Sequence, residues 1–236
     1  MTAAGVRVRY LGQVPCAEGI ATFRFAKPEG YMFTAGQFFT LSLNTRDGEQ
    51  SKHFSHASAP EDADIELTTR LTGSAFKDAL LALAPGTEVT LTGPRGRLVL
   101  PASARNVGFL TGGVGITPAR SIIRHLVMSG AATGIALFNG NRSDDCVPYG
   151  GEFRALRDMR ERFTLVEVIE QPTLAWESEV GRIDAGLVRR YLSDPEDYYW
   201  IVSGPPPMVG AMRVVVDELG LPGEAVAFES FAGYAS

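Results

Sequence analysis

The sequence predicts two joined folds: an antiparallel β-barrel over the first hundred residues, then an α/β domain with a doubly wound, five-stranded parallel sheet. Three observations lead there. Up to Pro101, short apolar runs alternate with Gly, Pro and Asp turn signals, and a single helical stretch interrupts them; many short strands with frequent turns close into a small barrel. Beyond Arg105, strand and helix patterns alternate, which right-handed crossovers turn into a parallel sheet with helices on both faces. Between the two, Val107 to Met128 runs from a buried apolar strand through Gly112, Gly113 and Gly115 into an amphipathic helix. That arrangement aims free backbone N–H groups and a positive helix end at a phosphate. The domains are therefore expected at 1–101 and 105–236.

In the first half, strands are expected at Val6–Val14, Ala21–Phe25, Gln37–Leu43, Ile65–Leu71 and Glu88–Thr92, with a helix at Ala75–Leu83. Thr22 and Arg24 alternate with Phe23 and Phe25, the period of a half-buried strand. In the second half, strands are expected at Val107–Leu110, Ile135–Asn139, Thr164–Ile169, Tyr199–Ser203 and Ala225–Phe228. The intervening helices are Pro118–Met128, Glu152–Glu161, Ala185–Leu192 and Pro207–Leu219. Thr117 and Pro118 fit the cap and first position of the first of these, and Gly130 its stop.

The usual order 3-2-1-4-5 leaves a ligand crevice where strands 1 and 4 separate. It would bring Thr111–Gly115 beside Ser203–Met208. Three prolines in that second loop, 205 to 207, give up three backbone donors and are expected to hold a rigid extended chain. A stiff edge beside a phosphate-binding turn suits an extended dinucleotide. The glycine spacing is not G-x-G-x-x-G, so a plain tight connection needing positive φ remains an alternative for the turn.

The totals exclude several classes. The net charge of −5 argues against a nucleic-acid binder, and no apolar run approaches the roughly 20 residues of a membrane span. The N-terminus lacks a signal-peptide core, so a cytoplasmic protein is expected. Two cysteines, Cys16 and Cys146, cannot make a four-cysteine metal site and fit a reducing compartment.

The motifs TGGVGITP (Thr111–Pro118) and SGPPPM (Ser203–Met208) resemble the pyridine-nucleotide half of the ferredoxin–NADP reductase family, whose members usually begin the second motif with cysteine. KHFSHAS (Lys52–Ser58) resembles the family's flavin motif of Arg, one residue, Tyr or Phe, then Ser, followed by Ala-Ser. The resemblance covers nearly the full length in the right order, and implies a flavin-binding barrel before an NAD(P)-binding domain. By that resemblance Phe54 packs on the flavin ring, Ser55 hydrogen-bonds near the atom that exchanges hydride, and Lys52 replaces the arginine that pairs with the pyrophosphate. His53 lies in the same flavin-contacting stretch, with no metal expected at His53 or His56. A lysine keeps the charge but loses the bidentate fork.

The family's second flavin motif, a glycine before a Ser/Thr pair opening a helix, is matched by Gly73, Ala75 and Phe76, but Lys77 and Asp78 replace the pair. FAD is thus implied over FMN, with Lys77 supplementing Lys52. Arg70 is expected to end the strand lining the ring. At the C-terminus Glu229 and Phe231 fit the family's ending, and Phe231 or Tyr234 would cover the flavin. Ser203, with Ser55 and Glu229, is implied in positioning nicotinamide, and serine in place of cysteine predicts slower hydride transfer.

The nucleotide is expected on Thr111, Gly112, Gly113, Val114, Gly115 and Thr117, on Gly204, Pro205, Pro206 and Met208, and on Asn141 and Arg142. Arg142 inclines the choice slightly to NADPH, with NADH open. The implied activity passes hydride from NAD(P)H to FAD and then electrons to a separate acceptor such as ferredoxin or a flavodoxin-like protein. Arginines 95 and 97, or 154, 157, 160 and 162, would steer an acidic partner. Alternatives are an oxygenase reductase component, a free flavin or quinone reductase using a small-molecule acceptor, or a flavin- or nucleotide-binding subunit that does not turn over alone.

Overall fold

A computed structural model describes residues 5–231. Its first sheet is antiparallel and contains β1 (Val6–Ala17), β2 (Ile20–Ala26), β3 (Phe38–Thr45), β4 (Gly48–Ser55), β5 (Asp64–Arg70) and β6 (Glu88–Arg95), with α1 (Ala75–Leu81) before β6. The strand order is β4-β3-β6-β1-β2-β5. Alternate residues of five strands, among them Phe23, Phe25, Phe39, Leu41 and Leu67, turn inward to one core with Phe76 and Leu80 of α1. The sheet curls as a barrel does but stays open, since β4 and β5 end it without pairing. The sequence reading missed β4. Its residues, GEQSKHFS, are polar and mostly exposed until the final Phe-Ser pair, so neither β-branching nor alternation announces an edge strand.

The second sheet is parallel: β7 (Asn106–Gly112), β8 (Gly134–Asn141), β9 (Phe163–Ile169), β10 (Glu179–Val180), β11 (Tyr199–Gly204) and β12 (Val226–Ser230). Their order is β10-β9-β8-β7-β11-β12, the expected 3-2-1-4-5 with a two-residue edge strand added. The five-strand expectation is corrected to six; two residues carry no periodic signal. Helices α2 (Ile116–Met128) and α3 (Gly150–Met159) cover one face, and α4 (Ala185–Tyr191) and α5 (Pro206–Leu219) the other. Two further details differ. A 3₁₀ turn, Gly113–Gly115, leads straight into α2 at Ile116, so Thr117 and Pro118 lie inside the helix rather than at its cap. Pro206 and Pro207 open α5 and only Pro205 is extended, because proline lacks the N–H that a first helical turn leaves unbonded anyway.

The two sheets are held together through α2. The Arg120 side chain is almost wholly buried and bonds both ways: Nη1 donates to the Ala57 carbonyl at 2.6 Å and to Glu66 at 2.7 Å in the barrel, and Nε to Glu152 of α3 at 2.8 Å. One residue on, Ser121 Oγ donates to the Ser58 carbonyl at 2.7 Å, and a turn on, Arg124 pairs with Asp62 and Glu152. Arg120, Ser121 and Arg124 of α2 thus all face the barrel. Removing one member of a buried charged cluster leaves the others uncompensated. Arg120→Met should therefore lower stability by about 3 kcal/mol, read as a fall in the urea unfolding midpoint.

Candidate functional site

A cleft of about 620 Å³ opens where the barrel meets the parallel sheet, within the roughly 300–1,000 Å³ range of small-molecule sites. One wall is β4, through Lys52, His53, Phe54 and Ser55; the opposite one is Val114, Thr117, Glu229, Ser230 and Phe231. Thr68, Phe76 and Lys77 complete it from β5 and α1. Phe54 is mostly in the barrel core, its ring 5.8 Å from that of Phe76. His53 accepts or donates at Nδ1 with Thr40 Oγ1, 2.8 Å away. His56 is not a wall at all: it is wholly buried, stacked on Phe33 at 3.7 Å and bonded to the Gln37 carbonyl.

The cleft holds basic and acidic groups together. Burial pushes the Lys77 ammonium down to about 8, with Arg70 and Lys52 adding to the effect. Cations near enough to lower the pKa of Lys77 mark a concentration of positive potential, ready for an anion. In the same cleft burial pushes the Glu229 carboxyl up to about 7, partly offset by the Ser55 hydroxyl. Ser55 Oγ and Glu229 Oε2 are both buried without a hydrogen-bond partner; a bond between them is not closed, although the hydroxyl is near enough to influence the acid. Buried polar atoms without partners are rare in finished interiors. Two of them facing one cleft fit a polar ligand there.

The glycine turn and the proline loop meet as expected. Strands β7 and β11 pair Thr111 with Ser203. Contact is close enough to demand glycine: a Cβ on Gly115 would stand 2.3 Å from the Ser203 carbonyl oxygen. Gly113 has φ +53°. Met208 Sδ covers both Gly112 and Gly204, 2.8 and 2.5 Å from where their Cβ atoms would be. Ser203 itself is fully buried and its Oγ donates to the Gly115 carbonyl at 2.7 Å, so the hydroxyl ties the turn and does not form a wall of the cleft. Thr117 Oγ1 likewise donates within the turn, to Val114. Phe231 N donates to the Gly204 carbonyl at 3.0 Å, which fixes the last described residue over the cleft; Tyr234 lies outside the described residues.

Around the C-terminal end of β8, Thr111 Oγ1 donates to Asn139 Oδ1 at 3.1 Å, while the Asn141 side chain is buried with both amide atoms unpartnered. Arg142 is exposed beside it. Gly73, at φ +66°, and Ala75 stand at the start of α1 and do not line the cleft. Ser74 does, and its Oγ caps α1 by accepting from Lys77 N. Sequence reading passed over Ser74, Thr72 and Thr68. A serine one residue before an expected helix is a cap signal that could have found the first.

A parallel-sheet crevice opening onto a cleft walled by a curled antiparallel sheet is the architecture of an NAD(P)H-dependent oxidoreductase. Residues 109–214 match the oxidoreductase NAD-binding domain. Ferredoxin–NADP reductase B of Sorangium cellulosum is 29% identical over 221 residues, covering 89% of this chain and 90% of that protein. NADH-cytochrome b5 reductase 1 of Mortierella alpina is 24% identical, covering 91% and 74%. Among solved structures, a ferredoxin NADP+ reductase from Neisseria gonorrhoeae with bound FAD and NADP superposes with a TM-score of 0.83 at 19% identity, covering 97% and 99%. The chain thus carries an oxidoreductase NAD-binding domain and is similar over nearly its full length to NAD(P)H-dependent reductases of the ferredoxin–NADP and cytochrome b5 types.

Two measurements follow from the geometry. Gly115→Ala forces the turn off β11 and should cost about 1–3 kcal/mol, as overpacking does, seen as a lower Tm. For Glu229, a folded pKa of about 7 exceeds the unfolded one, so the protein prefers the protonated acid and its stability falls as pH rises between about 4.5 and 7. Relative to Glu229→Gln, the wild-type apoprotein should lose Tm across that window and level off above it. A difference that stays flat with pH would refute the shift.

Proposed function

We propose that the chain binds FAD in the cleft, takes hydride from NAD(P)H at the crevice between β7 and β11, and delivers electrons to a small acidic redox protein. The observation that carries this reading is the pair of unpartnered buried atoms, Ser55 Oγ and Glu229 Oε2, in one cleft with Lys52, Lys77 and the nucleotide-type turn. A bound FAD supplies a two-electron acceptor for hydride and a donor of electrons to the acceptor protein.

The chain's own residues do the rest. Lys52, Lys77 and Arg70 offset the diphosphate charge, and Phe54, backed by the buried Phe76, packs on the flavin ring. Ser55 donates a hydrogen bond into the cleft, and Glu229 holds or releases a proton at Oε2 near neutral pH. Ser203 keeps the glycine turn against β11, so its part is to set where nicotinamide stacks and not to touch it. Phe231 shields the flavin until nicotinamide arrives. Asn141 and Arg142 take the adenosine end, with Asn141's amide supplying donor and acceptor. Arg142 is exposed at this edge, while Arg182 is taken up by Glu170, and either NADPH or NADH is accommodated.

The acidic partner is favoured by the rim of the cleft. Arg95 pairs in register with Phe38, a cleft residue that pairs on its other side with Ser55, and Gly96 packs on the same ring, which brings Arg95 to the flank of the cleft. The arginines after 150 are unsuited to this role. Arg154 is bidentate to Glu167, Arg160 donates to two carbonyls and Arg162 to Ala132 and Asn106.

Purified protein should be yellow and should bleach anaerobically with NADH or NADPH. Colourless protein that cannot be reconstituted with FAD overturns the flavin assignment; yellow protein that neither nucleotide bleaches makes it a binding subunit instead. Lys52→Met should weaken FAD binding by about tenfold, a loss typical of one charge-assisted contact, measured by fluorescence titration of apoprotein.

A further inference from the structure

Tyr149 ends the loop that runs from β8 to α3, and it is the one non-glycine described residue with positive φ, at +60°. A bulky side chain holds such a backbone only when its surroundings over-determine it. They do so here. The Arg120 guanidinium lies over the ring at 4.1 Å, and the hydroxyl passes into the barrel between Thr22 of β2 and Thr68 of β5.

Those two threonines are register partners, both nearly fully buried. Thr22 Oγ1 is 2.8 Å from Thr68 Oγ1 and 2.9 Å from Tyr149 Oη, and Thr68 Oγ1 is also bonded to Tyr149 Oη. The three hydroxyls therefore form a closed triangle. Each carries one proton and can accept others. The triangle is complete when each donates to the next, which commits all three protons and strengthens each bond through its neighbour. Thr68 is at the same time a wall of the cleft, so its proton is kept out of that cleft by a residue from the other half of the molecule.

We infer that Tyr149 is a positioning residue for hydride transfer: by closing a three-hydroxyl ring with Thr22 and Thr68, it fixes the Thr68 wall of the cleft from the nucleotide-binding half. This rests on the flavin reading above. The loop that carries Tyr149 begins at Asn141 and Arg142, so the adenosine edge and the flavin wall are the two ends of one short segment. Without the tyrosine hydroxyl, Thr68 is held by Thr22 alone, and its hydroxyl can turn toward the bound ring and change its polarity.

The test compares holoprotein with Tyr149→Phe, Thr68→Val and the double variant. The readouts are the visible flavin spectrum, the midpoint potential, and anaerobic rapid-mixing flavin reduction across nucleotide concentrations. Tyr149→Phe should shift the visible band and the potential. It should also slow the limiting rate on the order of tenfold, a fraction of what a ~1 Å misplacement can bring, with half-saturation by nucleotide unchanged. In the Thr68→Val background the same substitution should add nothing. If Tyr149→Phe fails to fold, Thr22→Val breaks the same ring from the barrel side and must reproduce the spectral shift. Unchanged band, potential and rate overturn the inference, as does an effect of equal size with and without Thr68→Val, or a half-saturation that moves with the rate. Wild-type protein that takes up no flavin sinks the flavin reading as well; flavin-loaded protein indifferent to the ring sinks only this inference.

Discussion

Hydride moves only between atoms held in near contact, so everything in this molecule depends on the barrel and the parallel sheet keeping one mutual orientation. The Arg120 side chain is the chief means. It sits where an apolar helix face would be expected, and it satisfies acceptors on both sides at once. A buried cation needs all of its partners in place, so the geometry is favourable in one arrangement and poor in any other. Apolar contact between the two sheets would tolerate sliding. A guanidinium fork does not.

That rigidity gives the cleft its polarity. Lys52 and Arg70 are near enough to act on Lys77, while Glu229 and Ser55 face the same cleft as buried polar atoms without partners. A flavin nucleotide has the matching groups, a charged diphosphate tail and a ring with polar edges. A wrong-way ligand would leave a carboxyl facing phosphate. Direction of binding is therefore written into the walls before any specific contact is considered.

Most of the fold was legible because its long elements are periodic. The strands flanking Phe23 and Phe25, the apolar β7 and the helix with Ile122, Ile123 and Leu126 inside all declare their buried faces. The strand order followed from crossover handedness, and it set the glycine turn beside the proline loop. What stayed hidden has a common cause. β4 is polar because an edge strand beside a ligand has little to bury, and β10 is two residues long. Arg120 and Tyr149 look like ordinary surface residues, since their partners Glu66, Glu152, Thr22 and Thr68 come from distant parts of the chain. At the candidate site, the motif residues of β4 and the C-terminus were readable by type, whereas Thr68 and Ser74 were not. Ser203 shows the limit of type alone: its neighbour in space, the Gly115 carbonyl, decides what the hydroxyl does.

Met208 presses its sulfur into the space that side chains at Gly112 and Gly204 would need. The two glycines end separate strands, nearly a hundred residues apart, yet they share one volume. A methyl group gained at either glycine displaces the Met208 side chain from its place or calls for a smaller residue at 208, so changes at the three positions are expected to be coupled. The seam between the two strand ends behaves as a single unit of variation, which a comparison of many related chains would register as a correlated triplet.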